Sequence, residues 1–168
     1  MLSFFSVLLV LGASTSAHAA ATIVILNNDG PGFGFNDSTP VAPVGGNTGT
    51  SLGQQRLLAF TAAANKWGAT LNSSVNIIIC SQWTALACTA TTAVLGSAGA
   101  VSVYRDFFGA PFASTWYSGS LTGKILGSDP ETAIPEINAN FNINLGNSWL
   151  PDRHLLLSGA GQQSRGQH

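Results

Sequence analysis

Residues 51–71 read SLGQQRLLAFTAAANKWGATL, and this stretch decides the architecture. Ser51, Leu52, Gly53 and Gln54 have the spacing of a capping box, in which a hydroxyl and a glutamine three residues apart satisfy the free amides of a helix start. Leu57, Phe60, Ala64, Trp67 and Leu71 then recur at alternating steps of three and four, one apolar stripe of an amphipathic helix. Leu58 and Ala62 widen the face expected to be buried, and Gly68 is a plausible stop. On either side lie short β-branched runs, ATIVIL at 21–26 and VNIII at 75–79, which read as strands. Between the first strand and the helix, residues 30–53 carry several Gly and Pro and no period, a long loop of the kind that is often functional.

Further along, residues 81–92 are small and polar and read as loop, and 101–104 (VSVY) read as a third strand. Tyr117, Leu121 and Ile125 predict a second, shorter helix over 116–126, despite Gly119 and Gly123. Ile137, Ala139, Phe141, Ile143 and Leu145 alternate with Asn138, Asn140, Asn142 and Asn144, the pattern of a half-buried strand with an all-asparagine outer face. The order strand, helix, strand, strand, helix, strand gives the fold class α/β (α+β), a mixed sheet packed by a long amphipathic helix.

Composition bounds the function. Of 168 residues only 8% are charged and 45% are apolar, with a net charge of −1. A surface that poor in cations cannot neutralise a row of phosphates, so no nucleic-acid partner is expected. Abundant Gly, Ala, Ser, Thr and Asn with scarce Lys and Glu suit an exported, loop-rich protein. Residues 2–12 (LSFFSVLLVLG) are nearly all apolar and are followed by small residues, with Ala17, His18 and Ala19 forming a small-x-small cleavage signal before Ala20. Residues 1–19 therefore read as a signal peptide, the competing reading being an uncleaved membrane anchor. The apolar run is too short to cross a bilayer, so no stable membrane span is expected after cleavage, and the location is secreted or extracytoplasmic. No Lys or Arg precedes the run; either the true start lies upstream or the free amino terminus supplies the charge.

Chemistry-bearing motifs are scarce. There is no H-E-x-x-H, no G-x-S-x-G and no phosphate loop, and no histidine lies between His18 and His154. Asn28, Asp29 and Gly30 with Asn36 and Asp37 faintly suggest an oxygen-rich calcium loop, but the spacing is not that of an EF-hand and a turn-rich connection is the preferred reading. Asp129 and Glu131 beside Pro130 read as the start of a turn, and no two carboxylates are spaced as an acid and base. Cys80 and Cys88 are a candidate disulfide in an oxidising compartment, the alternative being unbridged thiols. The faces of Asn138, Asn140, Asn142 and Asn144 are a candidate surface for an extended peptide or sugar, set against a merely solvated side.

ATIVILNNDGPGFGFND (21–37), TPVAPVGGNTGTSLGQQRLLAFTAAANKWGATLNSSV (39–75) and CTATTAVLGSAGA (88–100) carry a family resemblance. They resemble the N-terminal segment of secreted bacterial zinc-metallopeptidase-like proteins, many of which also hold a protease-associated (PA) domain. The resemblance covers residues 20–147 and implies the incomplete N-terminal half of a zincin-like domain, with an exposed sheet edge where the other half would sit. In that family an H-E-x-x-H helix follows, its two histidines binding zinc and its glutamate acting as general base. None of those residues stands in this chain, so no catalytic or metal position carries over, and zinc is expected only in full-length relatives.

After Asn147 the pattern departs. The last 21 residues, SWLPDRHLLLSGAGQQSRGQH, hold two of the six Lys and Arg and two of the three His. Residues 149–168 can be encoded so that dropping one base yields GCLTGTFFYLGLDNNHGAN, which resembles the family's continuation. Residues 148–168 are accordingly expected to be a frameshifted, disordered tail. The cysteine in the shifted string is one that, in an intact relative, would be available to Cys88. The functional expectation is an exported, truncated and catalytically incompetent fragment of a zinc-metallopeptidase-like protein. The alternatives are a stand-alone secreted binding or surface module and an unrelated hydrolase working through carboxylates without metal.

Overall fold

The computed structural model describes residues 20–89 and 91–145; the expected signal peptide and tail lie outside the described residues. A four-stranded sheet is ordered β1 (Ile23–Asn27), β2 (Ile77–Thr84), β6 (Ile137–Asn142), β3 (Gly96–Ala100). The first three strands run parallel and β3 runs antiparallel to β6 at the edge, so the sheet is mixed, as the sequence implies. Helix α1 (Leu52–Thr70) crosses from β1 to β2. A two-stranded ribbon, β4 (Val103–Tyr104) with β5 (Tyr117–Ser118), leads into α2 (Gly119–Leu126). The class is mixed α/β, with two α-helices among the described residues.

Ser51 caps the helix as its spacing implies, while Gln54 reaches back one residue further than in a capping box, to Thr50. Ser51 Oγ accepts from the Gln54 amide at 3.3 Å, and Gln54 Oε1 accepts from the Thr50 amide and hydroxyl at 2.9 and 3.0 Å. Gly68, however, does not end the helix, which runs on to Thr70. Its missing side chain leaves room for the preceding chain: the Ala21 amide donates to Gly68 O at 2.9 Å, and a Cβ on Gly68 would lie 2.6 Å from Ala21 O.

The buried face of α1 also departs from the stripe. Gly53, Gln55, Ala64 and Gly68 are buried, whereas Leu57, Leu58, Ala62, Trp67 and Leu71 are exposed, Trp67 by 62%. The helix packs toward the β1 side of the sheet on its small residues, and the larger ones fall outside that contact.

Strand boundaries moved where pairing overrode local preference. β2 continues to Thr84, through residues read as loop, because it is paired on both sides, with β1 as far as Ser81 and with β6 as far as Thr84. The expected strand at 101–104 divides. Val103 and Tyr104 join the ribbon, while the sheet strand is β3, whose sequence GSAGA has no β-branched residue and is held by its register with β6. β6 stops at Asn142 rather than Leu145, and the second helix starts at Gly119 rather than residue 116.

Alternation assigns the faces. Ile23, Ile79, Ile137, Ala139, Phe141 and Ala98 share the α1 side, and Leu26, Cys80, Gln82, Asn138 and Asn140 share the other. At the carboxyl end of the parallel strands an aromatic cluster closes the α1 side. Phe35 stacks on Phe60 (5.8 Å between centroids), Phe60 meets Phe141 edge-on (5.3 Å), and Trp83 stacks on Phe141 (5.2 Å). Arg56 lies 4.3 Å over the Trp83 ring and donates to Gly34 O and Asp37 Oδ2. Phe35 is carried there by a 3₁₀ turn, Gly34–Asn36, so the long loop is pinned to the core.

Candidate functional site

The oxygen-rich loop is an anchor. Asp29 Oδ1 accepts from the Trp83 amide at 2.7 Å and Oδ2 from the Phe35 amide at 2.8 Å, joining the loop to β2. Asn36 Nδ2 donates to the carbonyls of Asp29 and Gly30, and Asn27 Nδ2 donates to Asn36 Oδ1. Asp37 pairs with Arg56 at 3.1 Å. Burial pushes the Asp37 carboxyl up, but its hydrogen bonds from Thr39 and the Arg56 charge pull harder, leaving it below the usual range. The carboxylates of the suggested calcium loop are thus turned toward backbone amides and a guanidinium, which is the turn-rich connection weighed above.

The asparagine face is divided by its neighbours. A chain of amides crosses the sheet: Asn28 Nδ2 donates to Gln82 Oε1, Gln82 Nε2 to Asn140 Oδ1 (both 2.9 Å), and Asn140 Nδ2 to Ser97 Oγ at 3.5 Å. Asn142 is only 1% exposed. Its Oδ1 accepts from the amides of Leu86 and Asn144, and its Nδ2 donates to Val94 O at 2.7 Å, so it clamps the segments flanking the 85–95 loop. Asn144 Nδ2 donates to Leu86 O. Of the four, Asn138 stands exposed, Asn140 belongs to the amide chain, and Asn142 and Asn144 hold their own loop.

Cys80 and Cys88 are both free thiols. Cys80 stands inside β2 opposite Leu26 and Asn138, and Cys88 lies in the following loop, bridged to Ala93.

Two features were not legible in the motifs. One is a polar cluster where the ribbon meets the turn at Pro130. Asp129 Oδ1 accepts from the Glu131 amide, as a turn start should, and the Glu131 carboxylate accepts from Ser102 Oγ at 2.8 Å and Tyr104 Oη at 2.5 Å. Those bonds, Tyr104's first, hold the Glu131 carboxyl below its usual range, and the same bond raises the Tyr104 hydroxyl. Because the carboxyl is depressed, the cluster is intact above the ordinary glutamate range and is lost as pH falls through the Glu131 value. Tyr104→Phe is expected to move the Glu131 carboxyl back up toward that of free glutamate, read by the pH dependence of its side-chain NMR signals.

The other is an apolar groove of about 460 Å³ between α1 and the β6–β3 half of the sheet. Phe60, Ala64 and Trp67 form one wall, and Ile79, Ala139 and Phe141 the floor. Ala98 of the fully exposed edge strand β3 lines its rim. Ala63, a small residue, is the only other helix contribution, so the wall stays open rather than filled. No group of three or more His, Cys, Asp or Glu among the described residues is placed to hold a metal ion, and no described helix is long and apolar enough to cross a membrane. No family model, curated protein or solved structure matches the chain.

Proposed function

We propose that the chain is an exported, truncated fragment of a zinc-metallopeptidase-like protein, its N-terminal zincin-like subdomain, without hydrolytic activity of its own. The observation that supports this reading is the open groove. A sheet buries its apolar face under a packed layer, yet here one helix covers the β1 side and the face of β6 and β3 beside it stays open over about 460 Å³. An α/β layer with half its cover is what the N-terminal part of a larger domain presents. The reading also draws on the order strand, long helix with a late Trp and following sheet, which is the order that the resemblance implies. Peptide hydrolysis of that family needs imidazoles to hold zinc and a glutamate to activate water, and the sequence from Ala20 to Asn147 has no histidine.

The purified chain is expected to carry no stoichiometric zinc and to show no chelator-sensitive digestion of casein. Zinc at one equivalent together with such digestion would overturn the proposal. Sequencing the gene past the Asn147 codon tests the truncation separately: an H-E-x-x-H codon run in a shifted frame supports it, and its absence from every downstream frame counts against it.

A further inference from the structure

We infer that the isolated chain forms a reciprocal dimer in which the aromatic loop between β4 and β5 of each copy fills the apolar groove of the other. The inference goes beyond the metallopeptidase-like reading and does not depend on it; it rests on two surfaces of the same molecule. The first is the groove beside α1, whose lining contains no charged residue. The second is the 105–116 loop, RDFFGAPFASTW, uncharged from Phe107 to Thr115. Phe108 at its tip is 94% exposed and Phe112 is 70% exposed, far beyond what scattered surface apolar residues need explaining for.

This loop is built to hold those rings out. Asp106 and Ser114 both adopt left-handed backbone (φ 53° and 56°), and Asp106 Oδ1 accepts from the Ser114 amide at 2.6 Å across the loop neck. The Phe112 amide donates to Tyr117 Oη at 3.0 Å, and Phe107 packs edge-on against Tyr117, which is buried. A rigid neck lowers the ordering cost of docking the tip.

Size and area both fit a second copy. A volume of about 460 Å³ lies in the range that encloses a drug-sized ligand, and two phenyl groups are no larger than that. If each copy gives two phenyl groups, the four bury about 600–800 Å², with a like area on the grooves that receive them. The total, on the order of 1,200–1,600 Å², is that of a standard stable interface. Reciprocal exchange also closes the assembly as a two-fold pair, where a one-way contact would propagate.

Analytical ultracentrifugation of the full chain over a dilution series is expected to show a monomer–dimer equilibrium. Phe108→Ser/Phe112→Ser should weaken it by on the order of tenfold or more, since truncated aromatic anchors dominate such interfaces. Ala98→Phe, which fills the groove from its rim, should weaken it comparably. The decisive arm mixes these two variants, each self-checked for folding by circular dichroism. One retains an intact loop and the other an intact groove, so the mixture should form a heterodimer through one of the two contacts, weaker than the wild-type dimer and tighter than either variant with itself. A monomeric wild-type chain, association unchanged in the loop variant, or failure of the folded variants to pair would overturn the inference. So would a monomer that instead floats with phosphatidylglycerol vesicles through Phe108 and Phe112, because the loop would then be a lipid anchor.

Discussion

Asp29→Ala is expected to lower unfolding free energy by about 2–4 kcal/mol, because one carboxylate holds two backbone amides that have no other acceptor at hand. Those amides belong to Phe35, in the loop, and to Trp83, on β2, 54 residues from Asp29. Without the carboxylate both part-buried donors lose their acceptor, and the loop loses its tie to the aromatic cluster. In a domain of this size the loss corresponds to a melting shift of roughly 8–15 °C. Asp29→Asn should cost about half as much, since its amide oxygen still accepts one bond while its NH₂ opposes the other donor. A carboxylate serving as a calcium ligand would give a different result: added calcium would raise the wild-type melting temperature and leave the alanine variant unmoved. No such calcium dependence is expected. Thermal scans of the three proteins, with and without calcium, make the measurement.

Gly53→Ala and Gly123→Ala are expected to change stability in opposite directions. Both glycines lie in helices, where alanine is intrinsically better by about 1 kcal/mol. At Gly123 in α2 the added Cβ meets Pro130, Ser128 and Val75 at 3.5–3.6 Å, ordinary contact, so the substitution should stabilise by about 0.5–1 kcal/mol. At Gly53 in α1 the same atom would lie 2.3 Å from Phe35 O and 2.8 Å from the Asp37 amide, while the Gly53 amide donates to Asp37 O at 2.9 Å. Neither backbone can withdraw without giving up that bond or moving Phe35 out of the aromatic cluster. The propensity gain is outweighed, and a net loss of about 2 kcal/mol or more is expected. Chemical denaturation that shifts the midpoint with an unchanged slope makes the measurement. A stabilised Gly53→Ala protein would show that α1 does not approach the loop as closely as described.

These two sites show where reading along the chain succeeds and where it stops. The Ser51 cap, the existence of α1 and the strands beginning near Ile23, Ile77 and Ile137 follow from residue type and period, which act within a few residues of one another. The asparagine alternation is equally plain, and it does place Asn138 and Asn140 on the face away from α1. What it could not show is that Asn142 is swallowed by the flanking loop, because its partners Leu86 and Val94 are 56 and 48 residues away. β3 was invisible for the same reason: GSAGA has no strand preference, and only its register with β6 makes it a strand. The groove and the Glu131 cluster are likewise products of residues far apart in sequence.

By itself, then, the sequence determined the Ser51 cap, the presence of α1 and the starts of β1, β2 and β6, the mixed α/β class and the want of histidines between Ala20 and Asn147, because hydrogen-bond capping, hydrophobic period and residue identity are local properties. The tertiary structure alone decided which face of α1 is buried, which polar side chains are spent on the fold and which apolar surface stays uncovered. Those depend on how closely two backbones approach and how far a sheet extends under a helix, distances that no stretch of sequence contains.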